Sequence, residues 1–527
     1  MNDEVKTFDA VLFRQVFRQV WIIVGIILLS RFTKNWAVAG LALYGILSAL
    51  KQRPGPTLIV YLLLSFLPMI SPAIMPRYQH FTAIARLSTL AMTCALILTG
   101  DNRDGRNQIP LGTIYPFLLM AALSSIEGYC PAISYLKIVN FFIFITGIYI
   151  GTKNIHRCPE AITQIRCTFL AIIVLLVYGS LATLPFPSVA YYTSMRSIIQ
   201  EFGFSYADEI FEGGGGHSLF TGITVHSQFL GPTVACCFAW LLCDMLIVER
   251  KFSSFHLALL LPIPVIAYMT RSRLALLVLT FSVAVIAFYC TPNAGVVSRV
   301  RARFSNVMLV VIVLLTGAAV FFEVRGGYVS KWLRKTNDVT SDARSLGEAV
   351  TGSRQGKIAE CLNDFHQNTL FGKGFQVDRT TQRRFEAGQV SIFSAAIEKG
   401  LLPLMVLGET GILGTIAFAI FLLVFFVTCH QRHYTATLTL FSVYLSTNLA
   451  EATFFAPSGG GGVQWILMVV GGFVIDMNHV VKRRAAITAE SAMRAPPSTL
   501  LSLTGEDAEI GVDDDAQLAQ NDRGGEP

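Results

Sequence analysis

Apolar runs long enough to cross a lipid bilayer recur along most of this chain. A hydrocarbon core about 30 Å thick needs close to 20 apolar residues per helix, and shorter runs are tolerated when flanking side chains reach the interface. The pattern predicts about fourteen spans. They cover residues 20–34, 36–50, 56–72, 82–99, 109–126, 133–151, 165–185, 226–248, 255–270, 272–290, 305–323, 403–428, 435–455 and 463–481. We therefore predict an all-α, polytopic integral membrane protein, a bundle of about 12–14 transmembrane helices.

Composition supports a membrane protein and excludes an ordinary soluble domain. Hydrophobic residues make up 53% of the 527 positions and charged residues only 14%, against about 25% charged in a typical soluble domain. The net charge of +7 lies in short basic clusters between apolar runs, which indicates membrane topology rather than nucleic-acid binding. The ten cysteines form no CxxC pair, so neither a zinc site nor a disulfide framework is predicted, and no cofactor is expected.

Basic residues in the short loops predict the orientation, because cytoplasmic loops carry an excess of Lys and Arg. One alternate set of loops has about two to three times as many of these residues as the other. It comprises Arg14, Arg18, Lys51, Arg53, Arg103, Arg106, Lys153, Arg157, Arg166, Arg250, Lys251, Arg299, Arg301, Arg303, Arg432, Lys482, Arg483 and Arg484. Both termini are therefore predicted to be cytoplasmic, with the protein in a bacterial inner membrane.

The same pattern divides the chain into five segments. Residues 1–19 form a cytoplasmic amphipathic N-terminus, and residues 20–323 form a transmembrane bundle of about 11 spans. Residues 324–402 are a large periplasmic loop, and residues 403–481 hold the final transmembrane helices. Residues 482–527, rich in Ala, Pro, Ser and Asp, lack apolar periodicity and are predicted to be a disordered cytoplasmic tail.

The large loop contains local structure of its own. Within residues 351–366, Ile358, Cys361, Leu362 and Phe365 fall at helical spacing on one face, which predicts an amphipathic helix with Thr351 or Ser353 as N-cap. The following NTLFGKGF has two glycines suited to a tight turn. A loop of this length with its own helix is more typical of a lid over a site than of a passive connector.

Arginines at the outer membrane surface are the strongest candidates for chemistry. Arg271 and Arg273 flank the start of a span, where two guanidinium groups can clamp a diphosphate through bidentate hydrogen bonds. Anchoring the helix end to lipid headgroups is an equally weighted alternative. Arg354 in the loop helix is a third cation for the same anion, and a solvated helix face is its alternative.

Histidines and carboxylates flank the same region. His217 and His226 stand at the outer end of a span, where imidazoles bind hydroxyls, move protons or serve as structural residues. Glu398 and Lys399 lie where the loop re-enters the membrane, so Glu398 is a candidate general base or a partner of loop charges. Glu409, followed by glycines, favours close helix packing. The glycine runs 213–216 and 459–462 are interpreted as flexible outer turns, with phosphate-binding nests as the alternative.

Five motifs in order resemble the O-antigen ligase and polymerase superfamily of polysaccharide assembly. They are GITVHSQFLG (222–231), TRSRLAL (270–276), TGSRQGK (351–357), NTLFGKGF (368–375) and GETGILG (408–414). The resemblance covers roughly residues 205–425. It implies inverting, metal-independent glycosyl transfer at the periplasmic face from a glycan carried on undecaprenyl diphosphate. Carried over by position, Arg271 or Arg273 and Arg354 would neutralise the departing diphosphate, while a base activates the acceptor hydroxyl.

One departure from the family pattern favours a polymerase. Ligases of this superfamily usually have a His-Asn or His-Ser step before the E-x-G-x-x-G element, whereas this chain has Ile397-Glu398-Lys399-Gly400. The base stays open between Glu398, His226 and His366. The expected function is polymerisation of O-antigen or exopolysaccharide repeat units, with Arg273, Arg354 and Glu398 as catalytic residues. Arg271, His226, Lys399 and His217 are the expected substrate-binding residues.

Two other functions stay open. An O-antigen ligase would transfer the finished glycan to a lipid A core, and a flippase would move the lipid-linked glycan across the membrane. Transporters place polar groups along a path at the bilayer midplane, whereas the polar residues here concentrate at one membrane face. The expected partners are the undecaprenyl-diphosphate-linked glycan and the bilayer, with a chain-length regulator as a further candidate.

The orientation makes a direct prediction for reporter fusions. Fusions placed within residues 324–402 should report a periplasmic position, because the short loops on the other side hold the excess of Lys and Arg. Alkaline phosphatase activity should be high and cytoplasmic reporter activity low at these positions. A cytosolic location for this loop would contradict the enzymatic prediction, since the arginines would lie on the wrong side.

Overall fold

The computed structural model describes most of the chain as helix. It describes residues 2–33, 36–76, 81–99, 109–153, 155, 158–190, 220–249, 253–270, 272–289, 355–387, 401–449, 453–457 and 459–494. Within these ranges no β-strand forms, and a single antiparallel bridge joins Ile70 to Thr224. The all-α class predicted from the sequence is confirmed for this part of the chain.

The first half of the chain forms helices whose bounds follow the predicted spans. These are α1 (Asn2–Thr33), α2 (Trp36–Leu50), α3 (Pro54–Phe66), α4 (Phe81–Thr99), α5 (Tyr115–Ser124), α6 (Pro131–Lys153), α7 (Pro159–Ala182) and the short α8 (Pro187–Ala190). Short 3-10 turns extend α3 through Leu67–Met69 and precede α5 at Leu111–Ile114. Prolines begin several of these helices, where the missing N–H costs nothing.

The second half adds further apolar helices and two helices from the large loop. These are α9 (Ser227–Cys243, continued by a π-helical turn Asp244–Glu249), α10 (Ser254–Leu260), α11 (Pro262–Met269), α12 (Arg273–Tyr289), α13 (Gln355–Gln367), α14 (Arg379–Glu386), α15 (Leu402–Gln431), α16 (Thr435–Thr447), α17 (Gly459–Trp465) and α18 (Gly471–Arg494). A π-helical turn, Ile466–Val470, joins α17 to α18. The predicted span 305–323 lies outside the described residues.

Six of the described helices are long and apolar enough to cross a membrane, and several shorter apolar helices accompany them. Their outward faces fit a lipid solvent. On α15, Ile416, Ile420, Leu423 and Val427 form one stripe of exposed apolar side chains, while Phe421 and Phe425 on the opposite face are fully buried. An apolar stripe of this kind is costly in water and costs nothing in hydrocarbon.

Three sequence predictions need correction. The tail predicted to be disordered from residue 482 is helical as far as Arg494, because AAITAESAMR is rich in strong helix formers; residues 495–527 lie outside the described part. The helix predicted to reach residue 455 ends at Thr447. The run Gly459–Gly462 is the first turn of α17 rather than a flexible turn. Gly460, Gly461 and Gly462 are buried there, and the last two pack against the backbone of Thr453 and Pro457.

Aromatic rings form the centre of the bundle. Phe455 packs against Phe117, Phe141 and Phe375 with ring centroids 5.0 to 5.4 Å apart. Trp465 packs against Phe454 at 5.0 Å. These spacings lie in the range that favours aromatic pairs. Because Phe375 belongs to the large loop, part of that loop lies in the hydrophobic core.

A buried cluster of charges joins α7, α9 and α10. The Arg166 guanidinium donates Nε to Asp244 Oδ1 and Nη2 to Asp244 Oδ2, each at 2.8 Å, and Nη2 also contacts Glu249. His256 Nε2 lies 2.9 Å from Asp244 Oδ2. Arg166, Asp244 and His256 are at most 4% exposed. Bidentate pairing satisfies charges that would otherwise be very costly to bury.

Removing one partner of this cluster should destabilise the fold. Arg166→Gln and Asp244→Asn should each cost about 3–5 kcal/mol, because each removes the bidentate partner of a buried charge. The double variant should lose less than the sum of the two, with a coupling of at least about 1 kcal/mol. Thermal unfolding in detergent micelles measures the stability of the single and double variants. The exposed Arg14→Gln is the matched control. Additive losses would contradict the pairing.

Candidate functional site

The helix α15 is interrupted inside the motif GETGILG. Gly411 has φ 62° and ψ −164°, a backbone conformation that is essentially restricted to glycine. The interruption removes the helical hydrogen bonds from the Ile412 and Leu413 amides to the carbonyls of Gly408 and Glu409. Buried backbone groups without partners are costly, most of all in an apolar medium, so new partners must be present.

The motif NTLFGKGF supplies those partners. Ile412 N donates to Thr369 O at 2.9 Å, and Leu413 N donates to Leu370 O at 3.3 Å. The freed carbonyls accept in return, with Lys373 N donating to Gly408 O at 3.2 Å and Gly374 N donating to Glu409 O at 3.1 Å. Four bonds between the loop turn and the interrupted helix thus replace two bonds within it. We call this backbone exchange the loop–helix junction.

Glycines are required on both sides of the loop–helix junction. A Cβ at Gly411 would collide with the Leu370 carbonyl, and one at Gly372, whose φ is +74°, would collide with the Glu409 carbonyl. At Gly408 a Cβ would lie 2.7 Å from the Cys361 carbonyl of α13. The predictions of a tight turn at the loop glycines and of close packing around Glu409, which is 1% exposed, are confirmed.

Beyond the junction the loop enters the bundle. Phe375, Gln376, Val377 and Asp378 are at most 4% exposed. Ser134 Oγ donates to the Phe375 carbonyl at 3.0 Å, and Gln376 Nε2 donates to the Phe455 carbonyl at 3.0 Å. These side chains satisfy polar groups that water cannot reach. The segment therefore forms a fixed part of the bundle and not a surface excursion.

A polar triad ties α13 and α14 to the corner between α5 and α6. The Tyr129 hydroxyl donates to Asp364 Oδ1 at 2.6 Å and accepts from Arg379 Nε at 2.8 Å. The Arg379 guanidinium also lies 5.7 Å from the centre of the Tyr129 ring. Burial raises the pKa of the Tyr129 phenol, and the hydrogen bond to Asp364 raises it further. Tyr129 therefore stays protonated and can donate to Asp364.

The first two motifs also meet. A Cβ at Gly231 of α9 would lie 2.7 Å from both Ser272 Cβ and Thr270 Oγ1. Ser272 Oγ accepts from Ala275 N at 3.3 Å and thereby caps the start of α12. Arg273 is the first residue of α12, so its backbone lies beside Gly231. The close approach explains why a glycine ends GITVHSQFLG.

His226 lies just before the first residue of α9 and is half-buried. Its carbonyl accepts from Phe229 N and Leu230 N, each at 3.1 Å, which starts the helix. The preceding residues form a turn, in which Thr224 N donates to Thr221 O at 3.0 Å. This turn pairs with residues 69–71, since Ser71 N donates to Ile223 O at 2.8 Å and Val225 N donates to Met69 O at 2.9 Å. His226 stands five residues before Gly231, about 7.5 Å along a helix axis.

A series of polar contacts leads from α9, near the contact between the first two motifs, to the segment that follows the loop–helix junction. Gln464 Nε2 donates to Thr233 Oγ1 of α9 at 3.1 Å, and Thr453 Oγ1 donates to Gln464 Oε1 at 3.2 Å. Two residues after Thr453, the Phe455 carbonyl accepts from Gln376. Helix ends and non-helical segments from distant parts of the chain therefore form one contiguous region. Non-helical backbone at membrane depth is tolerated where it is buried in protein or lines a cavity.

Only some of the predicted site residues lie in the described part of the chain. Arg271, Arg354, Glu398, Lys399 and His217 lie outside it, and only the backbone of Arg273 is described. His226 is half-buried beside Phe229, while His366 is exposed on the last turn of α13. The structure thus brings the backbone of Arg273 and His226 into the same region and leaves the other predictions untested.

Sequence reasoning missed the polar residues that fix the loop. Asp364, at 1% exposure, interrupts the apolar face formed by Cys361 and Phe365, and an acid on such a face was the available signal. Tyr129 gave no signal, because its partner lies 235 residues away. Among the described residues, no group of three or more His, Cys, Asp or Glu side chains is placed to hold a metal ion.

Comparisons with known proteins do not assign the chain to a family. No protein-family model, curated protein or solved structure matches it.

A side chain at Gly411 should break the loop–helix junction. Gly411→Ala should destabilise the protein by at least about 1–3 kcal/mol from backbone strain alone, and the collision with Leu370 adds to this. Gly25→Ala is the matched control, since a Cβ there meets nothing within 4 Å and alanine favours helix. Thermal unfolding in micelles measures the loss of stability. Trypsin cleavage between residues 379 and 384 measures the release of this segment when the junction breaks. Equal stability and equal protease resistance in both variants would contradict the junction.

Proposed function

We propose that this protein is a membrane-embedded polymerase of O-antigen or exopolysaccharide repeat units. It transfers a glycan from an undecaprenyl diphosphate carrier to an acceptor sugar at the periplasmic face, with inversion and without a metal ion. The observation that supports this proposal best is the contact between motifs that are distant in sequence. The pairs 222–231 with 270–276 and 368–375 with 408–414 each meet, and one polar chain connects them.

Helix polarity supports an anionic ligand in this region. The N-terminal ends of α9 and α12 begin within a few residues of the contact between Gly231 and Ser272. Backbone N–H groups at helix starts carry partial positive charge and favour phosphate groups. Arg271 and Arg273 flank the start of α12 in sequence and would add two full positive charges there. A diphosphate matches this combination of dipoles and guanidinium groups.

The anchored loop supports a role for Arg354. This residue directly precedes Gln355, the first residue of α13. Helix α13 is fixed by the close contact of Cys361 with Gly408 and by the hydrogen bond from Tyr129 to Asp364. Rigid supports of this kind are what a catalytic cation needs, because small displacements of catalytic groups are costly.

The proposed reaction is a single displacement at the anomeric carbon of the donor sugar. A base, with Glu398 as the leading candidate and His226 and His366 as the others, takes the proton of the acceptor hydroxyl. The acceptor oxygen then bonds to the anomeric carbon as the bond to undecaprenyl diphosphate breaks. Arg273 and Arg354 stabilise the negative charge on the departing diphosphate, and Arg271, His226, Lys399 and His217 bind the substrates.

Ligase and flippase activities are the alternatives. A ligase shares the donor and differs in its acceptor, a lipid A core. The absence of a His-Asn or His-Ser step before GETGILG favours the polymerase. A flippase needs a polar path across the bilayer. The candidate charged residues of the motifs instead lie at one predicted membrane face, which favours transfer chemistry there.

Charge removal at the proposed diphosphate site should abolish chain extension. Arg273→Ala and Arg354→Ala should each lower the polymerisation rate at least about 100-fold, since one donor to a developing charge contributes this much. Membrane insertion and expression should be unchanged. The matched control is Arg31→Ala, an arginine in the last turn of α1 and outside the motifs. Polymer length and rate on gels measure the effect, and normal polymer from both variants would refute the assignment.

Product analysis separates the polymerase from its alternatives. A deletion strain should make lipid A core capped with a single repeat unit if the protein is a polymerase. Long carrier-linked chains without capping would indicate a ligase. Transport of lipid-linked glycan by the purified protein in liposomes, with no glycosyl transfer, would indicate a flippase.

A further inference from the structure

A groove of about 670 Å³ lies between α1, α2, α3 and α7, away from the motif region. Its walls are mainly apolar and include Ile23, Ile26, Leu41, Val60 and Leu63. The volume lies within the range of about 300–1,000 Å³ that is usual for small-molecule sites. The helices around it are apolar enough to lie in a membrane, so membrane lipids are the molecules that reach it.

Polar groups line the groove at one end. Arg18 and Gln19 of α1 line it together with Gln164 and Thr168 of α7. At its other end the groove is lined by Thr33, the last residue of α1, and Trp36, the first residue of α2. Trp is typical of a membrane interface. Arg18 is the one Lys or Arg side chain among the residues described as lining this groove. The groove therefore has a cationic end and an apolar length.

The dimensions of the groove fit an extended acyl chain. Arg18 and Thr33 are fifteen residues apart on α1, which corresponds to about 22 Å along a helix. This exceeds half of a hydrocarbon core about 30 Å thick. An acyl chain whose phosphate lies at Arg18 can therefore stay extended along the groove. An undecaprenyl chain is longer than the groove, so the carrier lipid fits it less well.

We propose that this groove binds one acyl chain of an anionic glycerophospholipid, with the lipid phosphate held by Arg18. Guanidinium groups bind phosphate oxygens through charge-assisted hydrogen bonds, and the Gln19 and Gln164 amides are placed to bind the headgroup. In the orientation predicted from loop charge, the lipid comes from the cytoplasmic leaflet, whose anionic lipids attract basic residues. This site does not depend on the proposed glycosyl transfer.

Two pairs of matched variants test the headgroup and the acyl chain separately. Arg18→Glu reverses the charge that lines the groove, and Arg14→Glu reverses an exposed charge one turn earlier that does not line it. Gly40→Leu places a side chain into the groove, where a Cβ meets nothing within 4 Å. Gly25→Leu adds the same side chain at an equally open position outside the groove.

Native mass spectrometry of the full-length protein in detergent gives the readout, with dioleoylphosphatidylglycerol and dioleoylphosphatidylcholine as probes. Phosphatidylglycerol should bind more tightly than phosphatidylcholine. Arg18→Glu should weaken the binding of phosphatidylglycerol about tenfold or more, as loss of a charge-assisted contact implies. Gly40→Leu should weaken the binding of both lipids. Arg14→Glu and Gly25→Leu should leave both unchanged, and thermal unfolding of each variant checks that the fold is retained.

Specific outcomes would overturn the proposal. Equal effects of Arg18→Glu and Arg14→Glu would show that general surface charge attracts the lipid. Retention of both lipids by Gly40→Leu would show that the acyl chain lies elsewhere. Competition by inorganic phosphate as strong as that by phosphatidylglycerol would indicate a soluble anion site. Displacement of phosphatidylglycerol by equimolar undecaprenyl phosphate would assign the groove to the carrier. Chain extension is measured independently, so failure here leaves the glycosyltransferase proposal unaffected.

Discussion

The backbone exchange between the loop turn and the interrupted helix α15 is the constraint on which the rest of the structure depends. Breaking a helix inside an apolar bundle leaves amides and carbonyls without partners, and each such group costs several kcal/mol. The turn at residues 369–374 supplies a partner to every group freed at 408–413. Without the turn, the groups freed by the interruption would need other partners, and without the interruption the Lys373 and Gly374 amides would lose their acceptors.

This exchange makes part of the predicted loop 324–402 a structural element of the bundle. A loop that only connects two spans remains at the surface, where water satisfies its backbone. Here residues 375–378 are buried, Phe375 packs among core rings, and the Tyr129–Asp364–Arg379 triad ties α13 and α14 to the corner between α5 and α6. Helix α13 is consequently anchored to the bundle at Cys361 and Asp364. In the proposed function, Arg354, which directly precedes that helix, would have the rigid support that stabilisation of a leaving group requires.

Charge is used for different purposes in different parts of the molecule. The buried Arg166–Asp244–His256 cluster joins three helices and is fully enclosed. Asp244 lies thirteen residues from Gly231, about 20 Å along α9, so this cluster is far from the motif contacts. The arginines proposed to bind anions, in the motifs and at Arg18, are not part of this cluster. Separation of these groups lets stability and ligand binding depend on different residues.

Much of the fold could be predicted from the sequence, whereas the arrangement of the site could not. Apolar periodicity is a local property, so each predicted span within the described residues overlaps a helix, and α13 and the glycine turn at 372–374 were recognised in advance. The orientation and the candidate cations were also inferred from local composition, and both stay predictions. The interruption at Gly411, the helical packing of Gly459–Gly462 and the partnership of Tyr129 with Asp364 involve residues far apart in the chain. Such pairings are decided by which backbone groups and surfaces meet when the bundle closes, and no local pattern records them.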